Sequence, residues 1–429
     1  MVPPPAVAVA HRRCRKAWCQ NLSPPIPTLG AQPEECPGDH HHSLPQQRHC
    51  DHASARCACA DPGAIACGHV CGLQRWLAWR WSPHRACRPF RQPGRPTRRG
   101  SRLPGHIRTH LCHRSTAPMK RLQYNRYGGQ DVMQLADVAL AAPAKGQVAV
   151  KVKYAAINPV DWKMRNGVMK IVTGRQFPRA MGMDFSGVVL AVGEGVARFK
   201  PGDAVFGLAR FKECGALAEA VITTEENLVS KPDSVSYESA ACLGTPGVTA
   251  WNGLVDKAAL KKGQHVFVNG CAGAVGEAAV QLAQLLGATV SGSCSAGSME
   301  RAGSLGLKQV YDYRVTRPED IRERFDVIFD TSAVMKAATG LALLRDKRGS
   351  LLDLEPDLGK FVRAVVDRRF KLVFCKPSAA ILAHLANAAN AGTFGLPIGE
   401  IVPLEGAIDL MNALESGQKR PGKGLVRMD

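Results

Sequence analysis

The stretch His265–Gly287, HVFVNGCAGAVGEAAVQLAQLLG, decides how this chain is built. Its first five residues run apolar, three glycines follow at Gly270, Gly273 and Gly276, and Ala, Val and Leu then recur at helical spacing through Leu286. The pattern predicts a strand, a tight turn and a helix. A backbone that passes within van der Waals distance of a pyrophosphate cannot carry side chains there, and the new helix turns its free N–H groups and positive dipole end toward the phosphates. Gly270, Gly273, Ala274, Val275 and Gly276 are therefore candidate contacts to a dinucleotide. The alternative is a glycine-rich loop that serves packing alone.

Downstream of this stretch, strands alternate with helices. Strands are expected at Thr289–Ser293, Gln309–Asp312, Val327–Asp330, Ser350–Leu354 and Lys371–Cys375, with helices at Ser298–Leu305 and near Met335–Leu344. Alternation at this spacing means parallel βαβ units and a doubly wound sheet. Upstream, short strands at Lys120–Tyr124, Gln147–Ala156, Asp184–Val192, Ala204–Leu208 and Ala218–Thr223 are separated by Gly, Pro, Asn and Asp breaks, which reads as a β-rich domain. Helical pieces at Ser236–Cys242 and Pro246–Ala259 lead into the glycine turn. A tail with a helix near Ala379–Ala391, a strand near Ile398–Leu404, a helix at Glu405–Glu415 and a strand at Leu425–Met428 can complete either layer.

The 429 residues suffice for two ordinary domains. Charge is unevenly spread: residues 1–118 hold 17 of the 56 Lys+Arg and 5 of the 36 Asp+Glu, a net +12, which leaves +8 of the +20 on the remainder. Net charge bears on solubility rather than fold, and neither an aromatic platform nor a folded motif accompanies it, so no nucleic-acid partner is inferred. Residues 1–118 are Pro- and Arg-rich without periodicity and are expected to be a disordered leader, read either as a presequence or as an over-extended gene model with initiation at Met119. The compartment stays open between cytoplasm and chloroplast. No run of eighteen apolar residues occurs, so no membrane span is expected. Five scattered cysteines after residue 118 favour free thiols.

Cofactor choice is read where the second strand of the dinucleotide unit ends. An NAD site places Asp or Glu there to hold the ribose hydroxyls. Here the run is Ser291-Gly-Ser-Cys-Ser-Ala-Gly-Ser298, with no acid before Glu300. Ser295, Ser298 and Arg301 instead offer donors and charge for a 2′-phosphate, so NADPH is the expected cofactor.

Leu122–Gly129 (LQYNRYGG), Asn158–Lys163 (NPVDWK), Asp184–Val189 (DFSGVV), Gly193–Val196 (GEGV), Phe199–Asp203 (FKPGD) and the glycine motif follow one another in a familiar order. From about residue 119 to 429 the chain resembles the zinc-independent medium-chain dehydrogenase/reductases, and within them the quinone oxidoreductases and alkenal/enone reductases. The resemblance implies an α/β protein: a GroES-like catalytic domain at 119–246, completed by 381–429, around a Rossmann NADPH-binding domain at 247–380. It also implies a homodimer, and cofactor contacts from Thr249, Tyr313 and Arg314.

Zinc-bearing members place a Cys near the Asn158–Lys163 motif and Gly-His-Glu at the start of the Asp184–Val189 motif. Here the chain reads Ile157-Asn-Pro-Val-Asp161 and Gly182-Met183-Asp184, so no metal ligand set is expected. Hydride delivery to an already electron-poor carbon, in a quinone or an α,β-unsaturated carbonyl, needs no Lewis acid but does need the developing oxyanion stabilised. Lys163 is the candidate for that charge or proton, Asn158 for an amide donor, and Asp161 for orienting the lysine by a charge-assisted hydrogen bond. An exposed Asp161–Lys163 pair with no catalytic part is the competing reading. Cys271 and Glu277 depart from the family pattern. The thiol at a helix N-terminus is either an activated sulfur or a small residue that fits, and Glu277 is expected to point outward. A non-catalytic NADPH-binding protein of the same fold is the alternative function.

Overall fold

The computed structural model describes residues 118–418 and 420–428, all within one compact unit. The expectation of a disordered leader at 1–118 lies, but for residue 118, outside the described residues.

The first segment is β-rich. β1 (Met119–Tyr124) pairs antiparallel with β2 (Met133–Val138), and after β3 (Gln147–Ala156) come two short helices, α1 (Pro159–Arg165) and α2 (Lys170–Thr173). β4 (Arg179–Ala180), β5 (Asp184–Val192), β6 (Ala204–Leu208), β7 (Ala220–Thr224) and β8 (Leu228–Ser230) follow. Alternating burial along β3 puts Val148, Val150 and Val152 on the core side with Leu122, Phe185 and Leu217. The helices α3 (Tyr237–Ala241) and α4 (Gly244–Trp251) then carry the chain through a π-helical turn at Asn252–Lys257 to the glycine region.

From there the order is β9 (His265–Asn269), α5 (Ala274–Leu285), β10 (Thr289–Cys294), α6 (Met299–Ser304), β11 (Gln309–Asp312), β12 (Val327–Asp330), α7 (Ala337–Leu343), β13 (Ser350–Asp353), α8 (Leu358–Val366) and β14 (Phe370–Leu372). These six strands form one sheet in the order β11-β10-β9-β12-β13-β14, every pair parallel. All five residues of β9 are buried, as a strand covered on both faces requires. The order reverses between β9 and β12, and ligands of such sheets bind in the crevice opened there at the carboxyl ends of the strands. The glycine turn sits at that point.

After α9 (Ala379–Asn390), the tail returns to the first sheet: β15 (Ile398–Pro403), α10 (Ala407–Glu415) and β16 (Lys423–Arg427). β16 pairs antiparallel with β3, matching Leu425 to Ala156, and β15 pairs with β16. The larger sheet thus runs β15-β16-β3-β5-β6-β8, with β7 also on β3. Arg165, fully buried, ties α1 to α10 by donating to both carboxylate oxygens of Glu415 at 2.7 Å. Among the described residues no helix is long and apolar enough to cross a membrane.

Candidate active site

The glycine turn is built as tightly as the sequence implies. Gly270 has φ +85°, and a methyl group on Gly276 would lie 2.0 Å from the Gly270 carbonyl oxygen, so α5 starts directly over the turn. Asn269, at the end of β9, donates to Asp330 and to Ser332 at 2.8 Å each and accepts from Ser293 Oγ at 2.6 Å, which fixes three strand ends around the turn. A cavity of about 650 Å³ opens there. Gly270, Gly273, Ser295, Ser298 and Tyr313, five of the candidate contacts, line it together with Glu319, Lys336 and Thr339. Ala274, Val275 and Gly276 form the first turn of α5. A twelve-residue helix beginning at an exposed glycine, with no Cβ in the way, fits the pyrophosphate of a dinucleotide.

Two expectations are corrected here, those for Glu277 and Arg301, and the choice left open at Cys271 falls to the small residue that fits. Glu277 does not point outward: it is buried and forms an ion pair with Arg301 at 2.8 Å. Burial pushes its carboxyl up while the guanidinium draws it down. Arg301 is correspondingly engaged, donating to Glu277 and to the Ala272 carbonyl within the turn. It braces the turn from behind and offsets the carboxylate that would repel pyrophosphate. Cys271, fully buried, has its thiol pushed up by burial and is not an activated sulfur. Arg314 is exposed and is not among the residues that line the cavity; its guanidinium stands 5.8 Å from the centre of the Tyr313 ring. Thr249 is buried and donates its hydroxyl to Thr245 O at 2.6 Å, within its own helix.

On the catalytic side, Asn158, Asp161, Asp184, Thr245 and Lys423 make one buried network. Asn158 Nδ2 donates to Asp184 Oδ2 at 2.9 Å and to Ala156 O at 3.2 Å, while Asn158 Oδ1 accepts from Lys423 Nζ at 2.6 Å. Both amide hydrogens are therefore committed, and Asn158 as it stands has none for a substrate. Asp184 Oδ1 accepts from the backbone N–H and the hydroxyl of Thr245, at 2.8 and 2.6 Å. Asp161 does not reach Lys163. As the third residue of α1 it accepts from the Asn158 backbone N–H at 2.8 Å, because helix geometry folds an acidic side chain at that position back onto the cap. Lys163 instead meets Glu355, just past β13, at 2.9 Å, and stays partly exposed.

Asp184, Thr245, Lys423 and Glu355 were not expected as site residues. Asp184 stood in a quoted motif; the other three carry no local signal.

The donor set between α1 and β5 does not fit a zinc ion. An amide, a hydroxyl and a carboxylate already saturated by hydrogen bonds surround a lysine ammonium, where a metal would require anionic or imidazole ligands. No group of three or more His, Cys, Asp or Glu able to hold a metal occurs among the described residues.

Residues 144–233 match the alcohol dehydrogenase GroES-like domain, and residues 305–426 match a model described as zinc-binding dehydrogenase. The chain is 31% identical over 308 residues to a chloroplast envelope quinone oxidoreductase homolog of Arabidopsis thaliana, covering 68% of this chain and 93% of that one. The chain belongs to the quinone oxidoreductase family of medium-chain dehydrogenases/reductases. It is also 36% identical over 221 residues to a chloroplastic NADPH-dependent alkenal/one oxidoreductase of the same plant, covering 49% of this chain and 57% of the relative. The solved structure of the quinone oxidoreductase from Coxiella burnetii superposes with a TM-score of 0.67 at 27% identity, over 73% of this chain and 100% of that one. The quinone oxidoreductase fold thus accounts for both the GroES-like sheet and the six-stranded parallel sheet.

Burial, then the nearby Asp184 charge, pushes Asp161 up to about 7, whereas a free Asp titrates near 3.8. Burial pushes Asp184 up as well, against its three hydrogen-bond donors and Lys423. The folded state thus binds the Asp161 proton more tightly than the unfolded chain between those two values. The resulting stability is fully present below about pH 3.8 and is lost as pH rises through about 7, at a slope of roughly 1.4 kcal/mol per pH unit. Urea unfolding of Asp161→Asn from pH 4.5 to 7.5 is expected to be flatter than wild type by that slope. Parallel curves would remove Asp161 as the titrating group.

Proposed function

We propose that this protein is an NADPH-dependent reductase that transfers hydride to a quinone or an α,β-unsaturated carbonyl without zinc. The observation that carries the reading is the pocket at the glycine turn, where Ser295 and Ser298 follow β10 in the place of a ribose-binding carboxylate, the one acid of the lining, Glu319, coming from a different segment and accepting from Thr339. Serine hydroxyls accommodate a 2′-phosphate that an acid would repel. Relatives named for NADPH-dependent alkenal/one and quinone reduction support the choice. In this reading residues 119–246 and 381–429 form the catalytic half and 247–380 the cofactor half.

When bound, the nicotinamide supplies the hydride. The chain supplies position and charge. Lys163, on α1, donates a hydrogen bond or a proton to the oxygen on which negative charge develops, and Glu355, from just past β13, holds the ammonium at 2.9 Å. Asn158 acts through the buried network, fixing the entry to α1 by its bonds to Asp184 and Lys423.

The test is NADPH oxidation by the full chain with a panel of quinones, alkenals and enones, beside NADH. Turnover with NADPH is expected; NADPH binding without turnover on any of them would favour a non-catalytic cofactor-binding role. Lys163→Ala is expected to lower kcat/KM by about 100-fold or more while leaving NADPH affinity unchanged. Full turnover by that variant would remove Lys163 from the mechanism.

The same reading includes a homodimer. The apolar residues of α8 are uncovered, with Leu358 82%, Val365 84% and Val366 79% exposed, next to the edge strand β14. Such a face fits a second copy of the chain. Light scattering should show Val365→Glu as a monomer beside a dimeric wild type; identical masses would place the interface elsewhere.

A further inference from the structure

Two of the buried cysteines meet in the wall of the dinucleotide pocket. Cys271 follows the first glycine of the turn, and its backbone N–H, like that of Gly270, donates to Ser293 O, at 2.9 and 3.0 Å. Its side chain folds back over β10. A methyl group on Gly292 would stand 2.7 Å from Cys271 Cβ and 3.0 Å from its Sγ, so the thiol occupies the space that glycine leaves. Gly292 and Cys294 lie two apart on one strand and face the same side. Cys294 therefore stands on the same face of β10 as the space that the Cys271 thiol fills, one strand repeat further along. Cys294 also lines the cavity, where a small solute reaches it, while Cys271 lies behind it.

We propose that Cys271 and Cys294 form a site of reversible oxidation, taking hydroperoxides to an intramolecular disulfide, and that occupation of the cofactor pocket covers it. In the first step the Cys294 sulfur attacks one peroxide oxygen, the O–O bond breaks, and a sulfenic acid and one water form from hydrogen peroxide. In the second the Cys271 sulfur attacks the Cys294 sulfur, its proton leaves with the departing hydroxide as a second water, and the S–S bond closes. Two thiols and one peroxide become one disulfide and two waters; sulfur loses two electrons and the peroxide oxygens gain them. Burial pushes both thiols up, so each step draws on a minor thiolate population and the site is slow rather than a fast sensor. Closing the two sulfurs to a bond of about 2.05 Å would draw Cys271, and the turn that would carry the pyrophosphate, toward β10.

Only the covering by cofactor rests on the reading of the pocket as an NADPH site; the dithiol does not. The full chain is treated with hydrogen peroxide, with and without saturating NADPH, and mapped by peptide mass spectrometry, since the sequence holds ten further cysteines before residue 118. The expected result is a Cys271–Cys294 cross-linked peptide, 2 Da lighter than its reduced parts and reversed by dithiothreitol. It should be absent from Cys271→Ala and Cys294→Ala and form at least fivefold more slowly with NADPH present. The oxidised protein should bind NADPH at least tenfold more weakly in a fluorescence titration. Independent oxidation of the two sulfurs to sulfinic acids with no cross-link, or a cross-link that leaves NADPH affinity unchanged, would overturn the proposal. Failure of the reduced protein to bind NADPH would instead count against the cofactor reading, with the cross-link still reporting on the dithiol.

Discussion

Gly276→Ala is expected to weaken NADPH binding by at least tenfold and to destabilise the fold by several kcal/mol. The added methyl would sit 2.0 Å from Gly270 O, 2.8 Å from Gly270 C and 2.9 Å from Cys271 Cα, all backbone atoms that cannot rotate away. Either α5 moves off the turn, or the turn opens and β9 loses its register with the loop. Gly273→Ala makes the control: its methyl would meet only Gly270 O, at 3.3 Å, and the position is otherwise open. That variant should unfold at nearly the wild-type urea midpoint and yet bind NADPH more weakly, because the methyl stands where the pyrophosphate approaches. Equal affinity for wild type and Gly273→Ala would mean that phosphate does not lie on this turn.

The second large effect is expected from Lys423→Met. Its ammonium donates to Ile157 O and Asn158 Oδ1 inside a region holding the Asp161 and Asp184 carboxyls. Methionine fills similar space but leaves Asp184 uncompensated, a loss of about 3–5 kcal/mol for a buried charge stripped of its partner. Urea denaturation reads this directly. Adding Asp184→Asn to Lys423→Met should recover part of the loss, since the stranded charge goes with it; additive losses would show that the lysine stabilises by packing alone.

What the sequence makes legible follows the distance over which each interaction acts. The turn from Gly270 to Gly276 is local: strand, glycines and helix are contiguous, and the structure has each where the pattern places it. The parallel sheet is legible too, because alternation of strand and helix is a property of neighbouring segments. Glu277 and Arg301 are 24 residues apart, Lys163 and Glu355 are 192 apart, and Asn158 and Lys423 are 265 apart. No spacing rule links such positions, so an aspartate two residues from Lys163 looked like its partner when a glutamate from the other half holds that place. Strands β2 and β8 escape for a related reason: MQLADV mixes polar and apolar residues without a clean alternation and LVS is only three residues long, so neither stands out from a loop.

The return of β16 to β3 has a consequence for how the protein is made. All six strands of the parallel sheet lie between residues 265 and 372, so that half has every partner once residue 372 has left the ribosome. The half synthesised first is different. Arg165 lacks Glu415, Asn158 lacks Lys423, and the end of β3 at 154–156 has an open edge until β16 arrives. At ordinary elongation rates that is roughly 3–11 s after the parallel sheet is complete. The half that would carry the catalytic lysine is thus the first to emerge and the last to close, and a chain stopped short of residue 427 keeps a whole cofactor-binding half beside one that cannot finish.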